Sequence, residues 1–196
     1  MDPDLPLIEA IRSGDDAALD ELINRHREPL FHFVFRYLRD KTAAGDVVQE
    51  TFVRAYFKAP VFQPRAMVKT WLYAIALNLC RDQLRKVAKR RNDFPLDAPR
   101  SGTSHPDELQ DSQPPPSEQS GQRERFAVLQ RAIDQLPETL REALILFSVE
   151  GRSQKEVAEV LKTTPKTIEL RVYHAKKKLR ESLGTLLDDS PLKKTD

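Results

Sequence analysis

The chain has 196 residues, a formal net charge of +2, 39% hydrophobic residues and 32% charged residues. The hydrophobic share lies below the roughly 45–50% usual for globular proteins, which indicates small domains or a polar segment outside any core. A single cysteine, Cys80, excludes an internal disulfide or a cysteine-built zinc site, and we expect it to be a small buried side chain. No run approaches the roughly 18 apolar residues of a membrane span, and the acidic N-terminus does not fit a secretory signal, so we expect a cytoplasmic protein.

The near-neutral total hides an uneven distribution of charge. Net charge is +4 in residues 1–91, −5 in 92–122 and +3 in 123–196. The acidic segment holds six of the 14 prolines and only three large apolar residues, too few to offset the entropy of ordering it. We therefore predict two domains, 1–91 and 123–187, joined by a flexible linker over 92–122 and followed by a tail, 188–196.

Apolar residues of the first domain recur at helical spacing, and strand signals are absent. The second helix contains Pro29, which should bend or divide it because proline has no amide hydrogen. Thr42 is the expected N-cap of the third helix, whose buried side should include Tyr56.

The third helix also carries a polar face. Asp46, Gln49, Glu50, Val53 and Arg54 lie at helical spacing and should point away from the core. This face is either an ordinary solvated surface or a docking surface for basic helices of a partner. Spacing alone leaves both interpretations open.

A proline-containing loop precedes a long fourth helix, from about residue 70 to 91. Trp71, Asn78, Arg81 and Arg85 share one face of that helix. An exposed aromatic ring beside an amide and guanidinium groups suits base stacking and base-edge hydrogen bonding. The alternative is a buried Trp71 with a solvated Asn78.

The second domain has the pattern of a helix–turn–helix. Phe126 and Leu129 are expected on the buried side of its first helix. Residues 153–156 fit a capping box, and Thr164 followed by Pro165 predicts an N-cap with proline at the first helical position. The capping residues, the length of the turn and the helical spacing of apolar residues all fit the same two helices, so we predict a helix–turn–helix here.

The last helix presents an outward face near its start. Recognition helices aim their first side chains at major-groove base edges, and later basic residues neutralise phosphates. Leu170 on this face is either an isolated exposed leucine or a contact to a thymine methyl group. The outward face consists of Lys166, Thr167, Leu170, Arg171, His174, Lys177 and Lys178.

Three blocks carry a family resemblance: DVVQETFVRAYFKAPVF (46–62), TWLYAIALNLCRDQLRK (70–86) and the segment 136–183. In this order they resemble bacterial extracytoplasmic-function (ECF) sigma factors of the sigma-70 family, which have only regions two and four. The resemblance implies an all-α protein: a region 2 bundle and a region 4 helix–turn–helix joined by a flexible, acidic, proline-rich linker. It implies an RNA polymerase subunit, not an enzyme, that recognises promoter DNA and promotes strand opening for transcription initiation.

The resemblance also implies roles for residues. The polar face of the third helix would bind core polymerase, the loop and fourth helix would capture an unpaired minus-ten base, and the last helix would read the minus-thirty-five element. In that last helix Lys166, Glu169, Leu170 and His174 depart from the common family pattern, so the promoter sequence of relatives does not carry over. Glu169 is included among the expected contacts to the minus-thirty-five element. The implied minus-ten residues are Phe62, Arg65, Lys69, Trp71, Asn78, Arg81, Arg85 and Lys86.

The expected partners are core RNA polymerase and promoter DNA, and the family allows an anti-sigma factor. No membrane or homo-oligomer is needed. No cofactor or metal is expected, because the four histidines lack metal-ligand spacing and neither a nucleophile motif nor a phosphate-binding glycine loop is found. The alternative is a stand-alone helix–turn–helix regulator, whose N-terminal domain would serve dimerisation or sensing and which would bind a palindrome without polymerase.

Overall fold

The structure, a computed structural model, describes the backbone of residues 2–93 and 116–188 and the side chains of 2–90 and 125–184. These residues form helices and turns without a strand, which confirms the all-α prediction for them, and they divide into two compact units. The first unit contains α1 (Leu5–Arg12), α2 (Asp16–Leu38), α3 (Lys41–Lys58) and α4 (Val68–Asp93). The second contains α5 (Pro116–Asp134), α6 (Glu138–Leu144), most of α7 (Gln154–Val160), and α8 (Pro165–Asp188).

Most of the predicted linker and tail lies outside the described residues. Within the predicted linker range, the described backbone is already helical at its two ends, where α4 continues to Asp93 and α5 begins at Pro116.

Aspartates cap α2 and α3. Asp15 accepts a hydrogen bond from the Ala17 N–H at 2.9 Å, and Asp40 accepts one from the Ala43 N–H at 2.8 Å. The prediction of Thr42 as the N-cap of α3 is wrong, because that residue already lies inside the helix. Asp40 has the extended backbone of an N-cap, and its carboxylate also favours the positive end of the helix dipole.

Pro29 lies inside α2, which runs from Asp16 to Leu38 as one helix. Of the two outcomes expected at Pro29, division of the helix is wrong, and a bend stays a prediction. A proline in a helix interior costs about 3 kcal/mol through the lost hydrogen bond and the ring clash. Buried residues on both sides of it, Leu22 before and Leu30 and Phe33 after, hold the helix against the rest of the unit and outweigh that cost.

The core of the first unit lies where α2 packs against α3 and α4. The rings of Phe33 on α2 and Tyr73 on α4 are fully buried, with centroids 5.0 Å apart and planes at 44°, an arrangement that aromatic pairs favour. Cys80 is buried on α4, as predicted. This packing fixes which faces of α3 and α4 remain outside.

The core of the second unit lies between α5, α6 and α8. Phe126 and Leu129 on α5 are both exposed, Phe126 by 58%, so the prediction that they are buried is wrong. Among the described side chains of α5, that of Ala132, three residues after Leu129, is the first to be buried. The buried cluster consists of Ala132, Leu136, Leu144, Ala175 and Leu179.

A π-turn at Ile145–Val149 continues α6 and ends at Gly151. The Glu150 N–H donates to the Ile145 carbonyl at 3.0 Å, and Gly151 follows with φ +63°, a conformation that glycine adopts without penalty. The next helix begins with the predicted capping box. The Ser153 N–H donates to Glu156 Oε2 at 2.9 Å, and the Glu156 N–H donates to Ser153 Oγ at 3.2 Å.

Candidate polymerase and nucleic-acid interfaces

The polar face of α3 borders two grooves rather than one. Gln49 and Val53 line a groove of about 730 Å³ between α2 and α3. Glu50 and Arg54 line a second groove of about 440 Å³ between α3 and α4, and Asp46 lines both. The five residues predicted as one face are therefore exposed or half-exposed, but they divide between two concave surfaces.

The two grooves differ in chemistry. The lining of the α2–α3 groove is mostly apolar, with Leu19, Ile23, Phe31 and Phe52 among its residues. Its charged lining residues are Asp16, Arg27 and Asp46. In the α3–α4 groove charged residues dominate. There Glu50 Oε1 accepts a hydrogen bond from Arg54 Nε at 2.7 Å, and both side chains are close to half exposed.

The sequence prediction missed two aromatic residues beside the polar face. Tyr56, expected on the buried side of α3, is exposed, and Phe57 is 74% exposed. Both line the α2–α3 groove, and their ring centroids are 5.5 Å apart. Phe57 follows Val53 by four residues, so helical spacing could have placed it on the same face.

The loop of residues 62–67 leads into α4 and carries two of the predicted minus-ten residues. Phe62 is only 7% exposed, and its ring lies 4.7 Å from that of Trp71, centroid to centroid, with planes at 47°. The ring of Phe62 therefore packs against that of Trp71, and a contact between Phe62 and DNA stays a prediction. Trp71 itself is half-buried, between the two alternatives that the spacing left open, and Arg65 is exposed.

Further along α4 the predicted residues stay on the surface. Asn78 is exposed, and its Oδ1 accepts a hydrogen bond from Arg81 Nη1 at 3.2 Å. Arg85 and Lys86 are exposed, and Arg85 Nη1 lies 3.5 Å from Asp82 Oδ1. The amide of Asn78 therefore faces solvent with its oxygen already engaged and its NH₂ group still able to donate. Lys69, the remaining predicted residue, is half-buried.

The start of α8 is ordered by contacts among neighbours. The Thr167 N–H donates to Thr164 Oγ1 at 3.2 Å, and the two threonine hydroxyls lie 2.9 Å apart, which confirms the predicted N-cap. Lys162, at the turn before it, has φ +51°. Lys166 Nζ donates to Glu169 Oε2 at 3.0 Å, so the acidic residue on this face is paired with a lysine.

Most of the other predicted residues of α8 are on its surface. Leu170 is 48% exposed, Arg171 is half-buried, and His174, Lys177 and Lys178 are exposed. The prediction missed Tyr173, which is exposed and meets the His174 ring edge-on at a centroid distance of 5.4 Å. The opposite side of the helix is buried at Ile168, Val172, Ala175 and Leu179, so α8 is amphipathic as expected.

The described residues also bear on two other kinds of site, a metal centre and a membrane span. Within residues 2–90 and 125–184, no three His, Cys, Asp or Glu side chains stand close enough to hold a metal ion together. Among the helices described, each is too short or too polar to cross a bilayer.

Comparison with known proteins gives two family matches along the chain. Residues 22–91 match the family model of sigma-70 region 2, and residues 126–179 match that of sigma-70 region 4. The first range covers α3, the 62–67 loop and nearly all of α4, and the second covers the helix–turn–helix. The region 2 match also decides against a stand-alone regulator whose N-terminal domain would serve dimerisation or sensing.

Similar proteins extend over almost the whole chain. The RNA polymerase sigma-H factor of Pseudomonas aeruginosa is 30% identical, over 97% of this chain and 98% of its own length. The ECF RNA polymerase sigma factor SigW of Bacillus subtilis is 28% identical, over 91% of this chain and 96% of its own. Among solved structures, CnrH in complex with the cytosolic domain of CnrY has a TM-score of 0.65 and 28% identity, covering 95% of this chain and 99% of that one.

Region 2 thus precedes region 4, as in a sigma factor, and the chain aligns with the sigma-H factor over nearly the full length of both proteins. The helices that the models match are those that carry the polar face of α3, the aromatic–amide face of α4 and the basic face of α8. The chain belongs to the ECF subfamily of sigma-70 factors, the RNA polymerase subunits that bind the core enzyme and recognise promoter DNA to start transcription.

Proposed function

We propose that this sigma factor uses three separate surfaces, one for core polymerase and one for each promoter element. In this proposal residues 1–91 form the region 2 domain, 123–187 the region 4 domain, 92–122 the linker and 188–196 the tail. The observation that carries the proposal is the combination on α4 of a half-buried Trp71, supported by Phe62, and an exposed Asn78 on the same helix face. Seven residues separate them, about 10 Å along the helix axis.

The minus-ten element is read as single-stranded DNA in this proposal. Trp71 offers a ring on which an unpaired base can stack, while the NH₂ group of Asn78 can donate to a base edge. Because the two groups are about 10 Å apart, they contact different nucleotides. Arg65, Lys69, Arg81, Arg85 and Lys86 supply positive charge for the backbone. Holding an extruded base offsets part of the few kcal/mol needed to unpair it.

Core polymerase binds the polar face of α3 in this proposal. An amphipathic helix with basic edges fits the α2–α3 groove, because the lining is mostly apolar and its acidic residues, Asp16 and Asp46, outnumber the single basic one, Arg27. The exposed rings of Tyr56 and Phe57 add area of the kind that dominates interface energies. Glu50 and Arg54 are paired with each other and line the α3–α4 groove instead. They would contribute by exchanging this mutual ion pair for pairs with charged residues of the polymerase.

The minus-thirty-five element is read as duplex DNA by the start of α8. Leu170 and Arg171 lie in the second turn, where a recognition helix in the major groove meets base edges. The Lys166–Glu169 pair removes most of the repulsion that an unpaired Glu169 would exert on phosphates. Thr167 and His174 flank these residues, and Lys177 and Lys178 reach the backbone.

This function requires binding and strand separation without covalent chemistry, so we propose a non-enzymatic protein without a cofactor that acts in the cytoplasm alongside RNA polymerase. A regulatory anti-sigma protein is proposed as a further partner. The support for it is that CnrH, which is similar over 95% of this chain, was solved in complex with the cytosolic domain of CnrY.

The test is reconstitution with the core polymerase of the same organism. Holoenzyme and core alone transcribe fragmented genomic DNA, and the 5′ ends of the run-off transcripts are sequenced. We expect starts that depend on the added protein and share two upstream elements. Starts identical to those of core alone would overturn the proposal, as would a full-length protein that binds a palindrome equally tightly with and without polymerase.

A further inference from the structure

The first residues of the chain are bonded to both ends of the 62–67 loop. Arg12, the last residue of α1, donates through Nε to the Ala59 carbonyl at 2.7 Å and through Nη2 to the carbonyl of Phe62. At the other end, Asp2 Oδ2 accepts a hydrogen bond from the Val68 N–H at 2.6 Å. One guanidinium and one carboxylate therefore hold the chain where it enters and where it leaves this loop.

Asp2 acts as an N-cap for a helix that is distant in sequence. Val68 is the first residue of α4, and its N–H is among the four that a helix leaves without an internal partner. A carboxylate at this position satisfies the donor and favours the positive end of the helix dipole. The other oxygen, Asp2 Oδ1, accepts from the Asp4 N–H at 3.0 Å, so the Asp2 side chain is oriented on both sides.

The same segment is anchored to α2 through Asp4. Asp4 precedes α1 but does not cap it with its side chain. Its oxygens instead lie 3.1 Å from Arg25 Nη1 and 2.7 Å from His26 Nε2, both on α2, and the carboxylate is buried. Hydrogen bonds to Glu21 and then to Asp4 raise the pKa of Arg25. The segment thus joins the loop to a helix of the core.

The loop has few other contacts to fix it. Val61 just before it and Met67 at its end are exposed, so little apolar burial holds these positions. Pro64 has no N–H to donate, and inside the loop the Arg65 N–H donates to the Gln63 carbonyl, only two residues away. The buried ring of Phe62 is the exception, and it is the residue whose carbonyl Arg12 holds.

We propose that Arg12 and Asp2 are positioning residues for minus-ten recognition, which they serve by fixing both ends of the 62–67 loop and so the place of Trp71. This inference rests on the proposed role of Trp71 in reading an unpaired base. Neither residue contacts DNA in this scheme. Their contribution is to hold the Phe62–Trp71 pair in its binding geometry before the base arrives, so that binding does not have to order the loop.

The test measures binding of holoenzyme to a labelled single-stranded oligonucleotide that carries the non-template minus-ten bases of a start mapped in the transcription experiment. Arg12→Ala should weaken binding about tenfold, which corresponds to about 1.4 kcal/mol, while binding of duplex upstream DNA stays unchanged. Arg12→Lys should recover part of the loss, because an ammonium can still donate but lacks the fork that reaches two carbonyls. Glu9→Gln, an exposed change on the same helix, is the matched control and should bind like wild type.

A double-mutant cycle separates positioning from a general loss of stability. In a Trp71→Ala background, Arg12→Ala should have little further effect on oligonucleotide binding, since the two residues act through the same ring. An equal loss in both backgrounds would overturn the inference. Asp2→Ala, which frees the other end of the loop, is the second variant if Arg12→Ala does not fold, and it should show the same dependence on Trp71.

The outcomes distinguish the inference from the function on which it rests. If Trp71→Ala weakens binding of the oligonucleotide and both Arg12→Ala and Asp2→Ala bind like wild type, the positioning role is wrong and the minus-ten assignment stands. If Trp71→Ala itself binds the oligonucleotide like wild type, the minus-ten assignment fails and the positioning role fails with it.

Discussion

The two surfaces proposed to read DNA are held in place by contacts of very different range. At the start of α8, Thr164 bonds Thr167 and Lys166 bonds Glu169, each pair three residues apart. At the 62–67 loop the anchoring bonds join residues 47, 50 and 66 positions apart. A helix that reads a rigid duplex can be ordered by its own sequence, whereas a loop that receives a flexible base depends on the fold around it.

The largest effect is expected at the surface that depends on the fold. Trp71→Ala should weaken binding of holoenzyme to a single-stranded minus-ten oligonucleotide by about 3 kcal/mol, the upper end for loss of one stacked base. Duplex upstream DNA should bind as before, as measured by fluorescence anisotropy. Trp71→Phe keeps a ring and is the matched control. An equal loss of affinity for the single-stranded oligonucleotide and for the duplex DNA would show that the two surfaces do not bind DNA independently.

The next effect is on the locally ordered surface. Arg171→Ala should weaken binding of duplex minus-thirty-five DNA by about 2 kcal/mol if the guanidinium contacts a base, and the loss should be confined to one base-pair position. Arg180, exposed on the same helix but more than two turns further on, provides the control substitution Arg180→Ala. If Arg171→Ala weakened binding equally for every DNA sequence, Arg171 would instead contact a phosphate.

A smaller effect tests the local ordering itself. Thr164→Ala should lower the free energy of unfolding of the second unit by about 1 kcal/mol, because the Thr167 N–H loses its cap. Chemical denaturation of the full chain, followed by signals from each unit, measures this change. Thr164→Ser retains the hydroxyl and should unfold like wild type. If Thr164→Ala also impaired binding of the minus-ten oligonucleotide, the two surfaces would not be independently ordered.

The smallest effect concerns the paired charges on α8. Lys166 and Glu169 form an exposed pair, and such helix pairs contribute about 0.3 kcal/mol. Glu169→Gln should therefore change stability very little but reveal whether the acid reads a base, through altered preference at one position of a duplex library. Lys166→Gln tests the other member of the pair. If neither variant changes the base preference, then neither Lys166 nor Glu169 reads a base.

The difference in range also explains what the sequence could predict. The Thr164 cap and the Ser153–Glu156 capping box involve neighbours, so residue type and spacing were sufficient. The helical fold and the outward position of Asn78 followed from apolar periodicity in the same way. The burial of Phe62 under Trp71 could not be read from spacing, because it depends on how α4 meets the preceding loop.

The errors have related physical causes. Thr42 and Asp40 are both acceptable caps by residue type, and the backbone geometry at Asp40 decides between them. Pro29 breaks an isolated helix but not one held on both sides by buried residues. The sequence predicts no role for Arg12, an arginine at the end of a short helix. Its neighbours in sequence do not indicate that its partners are carbonyls about 50 residues away.

The pairing of charges on the proposed contact surfaces has a consequence for the timing of binding. Glu50 with Arg54, and Lys166 with Glu169, cancel much of each other's field at a distance. The exposed lysines at 176–178 have no acidic residue among them, so under the proposed binding mode they would attract DNA before contact. Substituting these lysines should therefore slow association and reduce its salt dependence, whereas breaking a pair should alter how long the complex lasts.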